Sequence, residues 1–430
     1  MTTSSPVLPP PSCSPPQLHL HLHSINTSTQ PPSTNPSPQN GPPLRVALVG
    51  LSSTAKTSWA SNAHLPYLLS PRGRARFTIV ALLNSSEAAA RAAIAAYGLD
   101  PATTKAYGSP DALAADPDID FVVVNTRVDV HVSSAAPSVK AGKKVWVEWP
   151  LAEGSEAARG LVGLVSGDKK GTVVGLQGRV AGLVGRVGSL VDEGRIGKVL
   201  SSEVRVFGGT NDREVLPGGL EYFTKREIGG NPYTIGLAHI FDTVQHVLGD
   251  ILKDPVTGKA TGGHFQIQRP EVPIVGSDGK VSHTTKTDVP DLVHVTGTLP
   301  ESATVQKGAT LHVSLRRGQP YPGDPAFVWT INGEKGEIRV VSQVVSFIQV
   351  GSNEHPATLE VHDFETDKVE KIEWEYEDWQ KELPVSARNV GALYEAFSAA
   401  QEGGEVRYAT FEDAYERHKQ LDELLEVFQG

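Results

Sequence analysis

The sequence predicts an α/β protein in which a doubly wound parallel sheet is followed by an α+β domain with a large, mostly antiparallel open sheet. From residue 44 to about residue 178, apolar strand-like runs alternate with helical runs, as they do in βαβ units. Beyond about residue 180, several long segments alternate apolar and polar residues with period two, so that one face of each strand is buried. At 430 residues, the chain is long enough to form two hydrophobic cores.

Five apolar runs in the first part of the chain predict strands, and the runs between them predict helices. The unbroken apolar character of 119–125 is typical of a strand that is buried on both faces of a parallel sheet. Gly142 ends one helix, and the Ser109-Pro110 pair begins another. The predicted strands are 44–50, 77–83, 119–125, 144–148 and 172–176, and the predicted helices are 87–97, 109–115, 130–141 and 155–165.

The second part of the chain begins with a helix at about 180–193 and ends with two more helices. A loop rich in glycine, proline and charge is predicted at 208–231, and a helix follows at about 233–247. The predicted strands are 199–207, 264–268, 292–299, 309–315, 327–332, 337–345, 358–362 and 369–375, and the closing helices are 388–401 and 411–428. We therefore expect a Rossmann domain at 44–178 and an α+β domain at 179–430.

Residues 1–43 differ from the rest of the chain in composition. Twelve of the 31 prolines fall there, mixed with Ser, Thr, Asn and Gln. Such a segment buries too little apolar surface to offset its ordering entropy, so we expect it to be disordered. The Leu-His alternation at 18–23 is interpreted as low-complexity sequence rather than as a metal-binding tract.

Composition and charge argue against several functions. The net charge of -10 disfavours direct binding to nucleic acid, which requires a basic surface. No apolar run is long enough to span a membrane, and the sequence does not start like a secretory signal. Cys13 is the only cysteine, so no intramolecular disulfide or cysteine metal site can form, and we predict no metal. These features predict a cytoplasmic protein, or a nuclear one if its role is regulatory.

The first strand runs into a loop with part of a dinucleotide-binding fingerprint. Three glycines normally allow the turn, the approach of the pyrophosphate and close helix packing. Here Gly50 is present, but Ser52 stands at the second glycine position and the turn is longer than usual. Ser52, Ser53 and Thr54 can offer hydroxyl and N–H groups to a phosphate. On these residues alone, an ordinary strand–loop–helix is an equally good interpretation.

The end of the second strand bears on the choice of cofactor. A carboxylate normally binds the ribose of NAD at this place. This chain has Asn84 and Ser85 there, and it has no acid before Glu87. A missing carboxylate removes a repulsion against a 2′-phosphate, so we expect binding of NAD(P) with a slight preference for NADP.

Four further segments resemble motifs of the Gfo/Idh/MocA oxidoreductase family. Residues 125–131 resemble its Thr-Pro-Asn-x-x-His loop, and 141–152 resemble its Ala-Gly-Lys-His-Val-x-x-Glu-Lys-Pro-Leu-Ala run. Residues 229–242 resemble the glycine-rich entry to the helix that carries the family's active-site histidine, and 333–338 resemble a Gly-Thr-x-Gly turn. The resemblance covers roughly 44–350. It implies a nicotinamide cofactor and a second-domain sheet that often forms a homodimer interface.

Within this family, the chain is most similar to the branch of the fungal galactose-regulon co-repressors, the Gal80-like branch. It shares Val-Glu-Trp at 147–149, Leu-Gln-Gly-Arg at 176–179 and Lys-Thr-x-Val-Pro-Asp at 286–291. Trp149 stands where the family's enzymes carry a lysine beside the nicotinamide, and an indole N–H does not titrate in water. Members of this branch bind the dinucleotide and act by holding protein partners.

The resemblance implies that His239 is the active-site histidine, which would transfer a proton or bind substrate. In many members an aspartate stands four residues earlier, where this chain has Ile235. Tyr233 and Lys225 lie nearby in sequence, and either could replace the missing lysine as a proton donor. The alternative for His239 is a core histidine with satisfied hydrogen bonds.

The resemblance also assigns cofactor contacts, each with a structural alternative. Trp149 would stack on the nicotinamide or plug the substrate pocket, or it would only fill the core, and Pro150 after it is a candidate for a cis peptide bond. His131 would contact the ribose or cap its helix, and Arg179 would meet an anionic or hydroxylated ligand or form a salt bridge. The expected cofactor-binding residues are Gly50, Ser52, Ser53, Thr54, Asn84, Ser85, Thr126, His131, Glu148, Trp149, Pro150, Gln177 and Arg179.

Two functions follow from these observations. The first is an NAD(P)-dependent oxidoreductase that exchanges hydride with a hydroxyl or carbonyl of a small sugar-like or polyol-like molecule. The second is a non-catalytic co-regulator that binds the dinucleotide and a protein partner. Glu148 and His239 favour the enzyme, whereas Trp149 favours the regulator. A homodimer through the second-domain sheet is expected in either case.

Overall fold

The computed structural model describes residues 41–54, 58–208, 212–253, 262–426 and 428. The disorder predicted for 1–43 thus concerns residues that lie outside this part of the chain, apart from 41–43. None of the described helices is long and apolar enough to cross a membrane. Within the same residues, no group of three or more His, Cys, Asp or Glu side chains is arranged to hold a metal ion.

The first sheet contains six parallel strands. They are β1 Leu44–Val49, β2 Phe77–Leu83, β3 Lys105–Tyr107, β4 Phe121–Val124, β5 Lys144–Val147 and β6 Thr172–Val174. Their order, β3-β2-β1-β4-β5-β6, is that of a Rossmann fold and confirms the predicted doubly wound sheet. The short strand β3 was not predicted, because three residues are too few to show a period.

Short helices connect these strands. Ser86 and Ser109 begin two of them by accepting hydrogen bonds from the backbone N–H groups of Ala89 and Ala112, as N-cap residues do. A π-type turn at Ala60–His64 precedes α1, in place of the long first helix of many Rossmann domains. The helices are α1 Leu65–Leu69, α2 Pro71–Arg74, α3 Glu87–Ala96, α4 Pro110–Ala114, α5 His131–Lys140 and α6 Ser155–Val162.

The second sheet contains eight strands and follows helix α7 Gly182–Asp192. Its strands are β7 Val199–Phe207, β9 Gly263–Gln266, β12 Leu292–Thr298, β13 Val305–Arg316, β14 Phe327–Gly333, β15 Gly336–Ser342, β16 Thr358–Asp363 and β17 Lys368–Lys371. Their order is β17-β16-β15-β14-β7-β13-β12-β9. The pair β7–β13 is parallel and the other described pairs are antiparallel, which confirms the predicted mostly antiparallel sheet.

A small third sheet was not predicted. It consists of β8 Leu216–Pro217, β10 Glu271–Val275 and β11 Val281–Lys286, in the order β11-β10-β8. Most residues of β11 are exposed and polar, so no alternation marks this strand in the sequence. The predicted loop at 208–231 therefore contains β8, together with two short 3₁₀ turns at Gly218–Thr224 and Arg226–Ile228.

The remaining helices connect the two large sheets. They are α8 Ala238–Leu248, α9 Asp378–Lys381, α10 Val385–Gln401 and α11 Phe411–Leu425. Helix α10 packs on the first sheet, where Phe397 stacks on Phe121 at 4.5 Å between ring centroids. The last helices pack against the first sheet, so each of the two large hydrophobic cores contains residues from both sides of position 178. The domain limits 44–178 and 179–430 stay a prediction.

Candidate functional site

A cavity of about 260 Å³ lies at the carboxyl ends of β4, β5 and β6 in the first sheet. Ligands of open α/β sheets bind outside the carboxyl ends of the strands. The cavity is lined by Trp59, Asn125, Thr126, Arg127, Val128, His131, Glu148, Trp149, Gln177, Tyr222, Ile235, His239, Phe347, Gln349 and Val350. An adjoining cavity of about 410 Å³ shares Trp59, Asn125, Thr126, Arg127 and Tyr222.

Gly50 turns the chain at the end of β1. Its φ is +90°, and a Cβ at this position would lie 2.8 Å from the backbone oxygen of Asn125. Only glycine fits this combination of backbone conformation and close approach. The following loop is held by the Tyr97 hydroxyl, which donates to the Ser52 backbone oxygen at 2.8 Å. The Ser52 and Thr54 hydroxyls are 3.3 Å apart, and Ser53 is exposed.

The end of β2 lies beside this loop. Asn84 donates its amide to the Leu51 backbone oxygen at 2.9 Å and so ties the two strand ends together. Ser85 is exposed. The first carboxylate after β2 belongs to Glu87, which pairs with Arg91 one turn further along α3.

Glu148 stands at the end of β5 and is the best-anchored acid in the cavity. Its Oε1 accepts from the Trp146 indole at 2.8 Å and lies 3.1 Å from His64 Nε2. The other nitrogen of His64 is 2.9 Å from the Tyr394 hydroxyl on α10. Burial works against ionisation of Glu148, but these hydrogen bonds and the His64 charge outweigh it and hold its pKa below its usual value. The site therefore contains a carboxylate that is held by Trp146 on the same strand and by His64, which lies 84 residues earlier in the chain.

Trp149 lines the cavity, and its only side-chain polar atom is hydrogen-bonded to the protein backbone. Its indole N–H donates to the Thr234 backbone oxygen at 2.7 Å, and its ring packs on His418 at 4.6 Å between centroids. The peptide bond to Pro150 is cis, which confirms that prediction. The indole thus forms a wall of the cavity, and its N–H is bound to protein rather than directed at a ligand.

His131 joins the two loops beside the cavity. Its Nδ1 lies 2.8 Å from the Pro150 backbone oxygen, and its Nε2 lies 2.8 Å from the Thr126 backbone oxygen. Burial lowers the pKa of His131, although the two carbonyls favour the proton. A neutral imidazole donates to only one of them. Both ring nitrogens face backbone oxygens, so His131 links the loop that contains Thr126 to the loop that contains Pro150.

His239 is the least satisfied group of the site. It is 9% exposed, and its Nδ1 has no hydrogen-bond partner among the described residues. Burial lowers its pKa to about 4 against the opposing charge of Glu148, so the imidazole is neutral at physiological pH. Five more buried polar atoms of the cavity wall likewise have no partner in the described part of the chain: Trp59 Nε1, Asn125 Oδ1, Thr126 Oγ1, Gln177 Oε1 and Gln349 Oε1.

Ten of the residues expected at the site line neither of these two cavities: Gly50, Ser52, Ser53, Thr54, Asn84, Ser85, Pro150, Arg179, Lys225 and Tyr233. The Tyr233 hydroxyl donates to the Leu421 backbone oxygen at 2.6 Å within the core. Lys225 is exposed and donates to the Lys286 backbone oxygen at 3.2 Å. Neither lines the cavity, so neither replaces the missing lysine there. Arg179 forms a bidentate ion pair with buried Asp242, at 2.9 and 2.7 Å. Of the two roles considered for Arg179, ligand contact and salt bridge, the structure shows the salt bridge.

Several cavity residues were not found from the sequence. Trp59 and Tyr222 come from segments without regular alternation, and Phe347 and Gln349 come from an irregular loop after β15. His64 and Tyr394, which anchor Glu148, are separated by 330 residues. None of these residues belongs to a local motif, so one sequence carries no signal that would have identified them.

Comparison with known proteins supports both parts of the resemblance. Residues 44–176 match the model of the oxidoreductase family with an NAD-binding Rossmann fold. Residues 183–342 match the model of the Gal80p C-terminal domain.

Two relatives represent the two functions. The chain is 26% identical over 387 residues to the dehydrogenase aclE of Aspergillus oryzae, covering 89% of this chain and 95% of that protein. It is 29% identical over 225 residues to the galactose/lactose metabolism regulatory protein GAL80 of Kluyveromyces lactis, covering 50% of this chain and 47% of that protein. Enzymes and regulators are thus both among its relatives.

Solved structures show the same fold. A super-repressor mutant of Gal80p from Saccharomyces cerevisiae superposes with a TM-score of 0.75 at 20% identity, over 89% of this chain and 95% of that one. Levoglucosan dehydrogenase, in a complex with NADH and L-sorbose, superposes with a TM-score of 0.66 at 19% identity, over 90% of this chain and 96% of that one. The chain therefore combines a segment, 44–176, that matches the oxidoreductase family with an NAD-binding Rossmann fold and a segment, 183–342, that matches the Gal80p C-terminal domain.

Proposed function

We propose that this protein is an NAD(P)-dependent oxidoreductase that acts on a hydroxyl or carbonyl group of a small molecule, of the sugar-like or polyol-like class. The observation that carries the proposal is a group of six buried polar atoms, on residues that line one cavity at the carboxyl ends of β4, β5 and β6, that have no hydrogen-bond partner in the described residues. A buried polar atom without a partner costs about 1–3 kcal/mol. Such a group is expected where a polar ligand supplies the partners.

The residues of the cavity suit a nicotinamide dinucleotide. Residues 50–54, after β1, line neither of the two adjoining cavities, but the Ser52, Ser53 and Thr54 hydroxyls would be the phosphate contacts, and Ser53 and Thr54 are exposed. Thr126 and Gln177 line the cavity, and each has a buried oxygen atom without a hydrogen-bond partner in the described residues. When bound, the nicotinamide supplies the hydride donor or acceptor for interconversion of alcohol and carbonyl.

His239 is the group best placed to move the proton. In its neutral form it accepts a proton from a substrate hydroxyl, and the Glu148 carboxylate stabilises the resulting imidazolium. Trp149 does not compete for this role, because its N–H is bonded to Thr234 and does not titrate. Tyr233 and Lys225 lie outside the cavity and have no part in this proposal.

The first experiment is a titration of the purified protein with NADH and NADPH, followed by nucleotide fluorescence and thermal shift. We expect binding of wild type and a loss of affinity of about tenfold or more in Gly50→Ala, because the new Cβ meets the Asn125 oxygen and strains the turn. Gly142→Ala is the control: its φ is also positive, but no atom lies within 4 Å of the new Cβ. Failure of wild type to bind either nucleotide would contradict the proposal.

The slight preference for NADP is tested at the end of β2. Ser85→Asp restores an acid near the expected ribose, so we expect about tenfold weaker binding of NADPH, through repulsion of the 2′-phosphate, and unchanged or tighter binding of NADH. Ser85→Asn, which has the same shape without the charge, serves as the control. Equal loss of both nucleotides in the aspartate variant would instead indicate a general disturbance of the loop.

The second candidate is a co-regulator that binds the dinucleotide without turnover and holds a protein partner. The match of 183–342 to the Gal80p C-terminal domain and the commitment of the Trp149 N–H to Thr234 favour it. Under this alternative, nucleotide binding persists while no sugar, polyol or keto compound changes the nicotinamide absorbance.

We further propose a homodimer formed through the outer face of the second sheet. Along β7, buried residues alternate with the exposed side chains of Glu203 and Arg205, so one face of the sheet is available for a partner copy. Sedimentation of the purified protein tests this, and a monomer at all concentrations would contradict it. A cytoplasmic location, or a nuclear one for the regulator, is proposed with it.

A further inference from the structure

A second, smaller cavity lies directly behind the first. Its volume is about 120 Å³. Nearly all of its wall is apolar, and the wall consists of Val206, Gly208, Phe223, Pro232, Ile235, Gly236, Ile240, Leu315, Arg317, Ser346 and Phe347. The Arg317 guanidinium is bonded to the backbone oxygens of Asp212 and Val215, so its charge is directed at protein.

Ile235 and Phe347 line both cavities and therefore form the partition between them. Ile235 precedes His239 by four residues, so the two side chains lie on the same face of the helix that crosses the site. Here the wall next to the proposed proton-transfer group is hydrocarbon.

We propose that the substrate carries an apolar arm next to its reacting hydroxyl or carbonyl, and that this arm passes Ile235 and Phe347 into the second cavity. The inference rests on the proposed function, whose site supplies the polar end. A volume of about 120 Å³ is slightly below the roughly 150 Å³ of an apolar cavity that accepts benzene. The arm is therefore an alkyl chain or small ring of about four to six carbons.

The Ser346 hydroxyl adds one polar feature to the second cavity. It is buried and has no hydrogen-bond partner within the described residues. It can pair with a single oxygen on the arm, such as an ether or carbonyl. No other side-chain polar atom on the described wall of the second cavity is buried without a partner, so the hydroxyls of a sugar-like or polyol-like substrate would stay in the first cavity.

Two variants change the second cavity in different ways. A Cβ on Gly236 would lie 3.7 Å from Phe347 and 3.8 Å from Leu315, in ordinary contact. Gly236→Val therefore reduces the volume of the second cavity at a residue that does not line the first one. Ile235→Asp places a charge at the partition and makes entry of an apolar arm unfavourable.

The test uses NADPH-loaded protein, after nucleotide binding has been shown, and compares 1,2-propanediol with 1,2-hexanediol. The two probes have the same diol and differ by three methylenes in the arm. Because removal of one methylene from water is worth about fourfold in affinity, we expect wild type to bind the hexanediol about tenfold or more tightly. In Gly236→Val and Ile235→Asp this advantage should fall to about threefold or less, and Gly236→Val, whose residue does not line the first cavity, should keep the NADPH affinity of wild type.

Equal affinity of wild type for the two diols, no binding of either diol, or an advantage that survives in Gly236→Val would overturn the inference. In each of these outcomes NADPH is bound, so the proposed cofactor site stands while the apolar arm does not. Absence of NADPH binding would remove both proposals together.

Discussion

Replacement of Asp242 with asparagine is expected to lower the free energy of unfolding by about 3–5 kcal/mol. Asp242 is 1% exposed and pairs with two cations: Arg179 at 2.7 Å and Arg417 at 3.2 Å. The asparagine keeps the shape but removes the buried counter-charge of both guanidiniums, so Arg179 keeps only Asp413 at 3.8 Å and Arg417 keeps only the exposed Asp250 at 2.8 Å. Removal of one member of a buried ion pair costs much more than loss of an exposed pair.

Chemical denaturation of wild type and variant measures this difference. Asp250→Asn is the matched control, because Asp250 also contacts Arg417, at 2.8 Å, but its side chain is 66% exposed. We expect the control to lose about 1 kcal/mol or less. Equal losses in the two variants would show that burial of Asp242 does not govern the cost.

The same cluster makes stability depend on pH. Burial alone would raise the pKa of Asp242, but the charges of Arg179 and Arg417 outweigh it and lower the pKa to about 2. Its pKa in the unfolded chain is about 3.9. The stabilisation is therefore complete above about pH 4 and is lost as the pH falls towards about 2.

The Rossmann sheet was predictable because each of its longer strands is an unbroken apolar run. Strands β4 and β5 illustrate this, with most residues fully buried by helices on both faces. Strands of the second sheet were predictable for the opposite reason, since β13 and β14 alternate buried and partly exposed residues. Strand β11 is polar and mostly exposed, so it shows neither an apolar run nor an alternation, and the third sheet could not be predicted from the sequence.

The predicted residues that line the cavity come mostly from local motifs. Glu148 and Trp149 come directly after a buried strand, and both line the cavity. Tyr233 lies in the core, where its hydroxyl donates to the Leu421 backbone oxygen 188 residues later, and nothing in the local sequence indicates that contact. The partner of Arg179 lies 63 residues away in Asp242, and no spacing in the sequence indicates that pair.

Replacement of His239 with leucine is expected to reduce turnover by about a hundredfold or more while leaving the fold and the NADPH affinity unchanged. The imidazole Nδ1 has no partner in the described residues, so an apolar side chain of similar size loses no hydrogen bond there and stability should stay within about 1 kcal/mol or rise. Turnover is followed by nicotinamide absorbance, and His355→Leu, at an exposed position, is the control.

Because the pKa of His239 is about 4, the rate of alcohol oxidation in wild type should be constant above about pH 5 and fall as the pH drops through about 4. A buried imidazole nitrogen without a hydrogen-bond partner lowers the free energy of unfolding. A role of the neutral imidazole in proton transfer or ligand binding would explain why a histidine stands at this position. An unchanged rate in His239→Leu would remove the proton-transfer role and leave the co-regulator as the better account of the cavity.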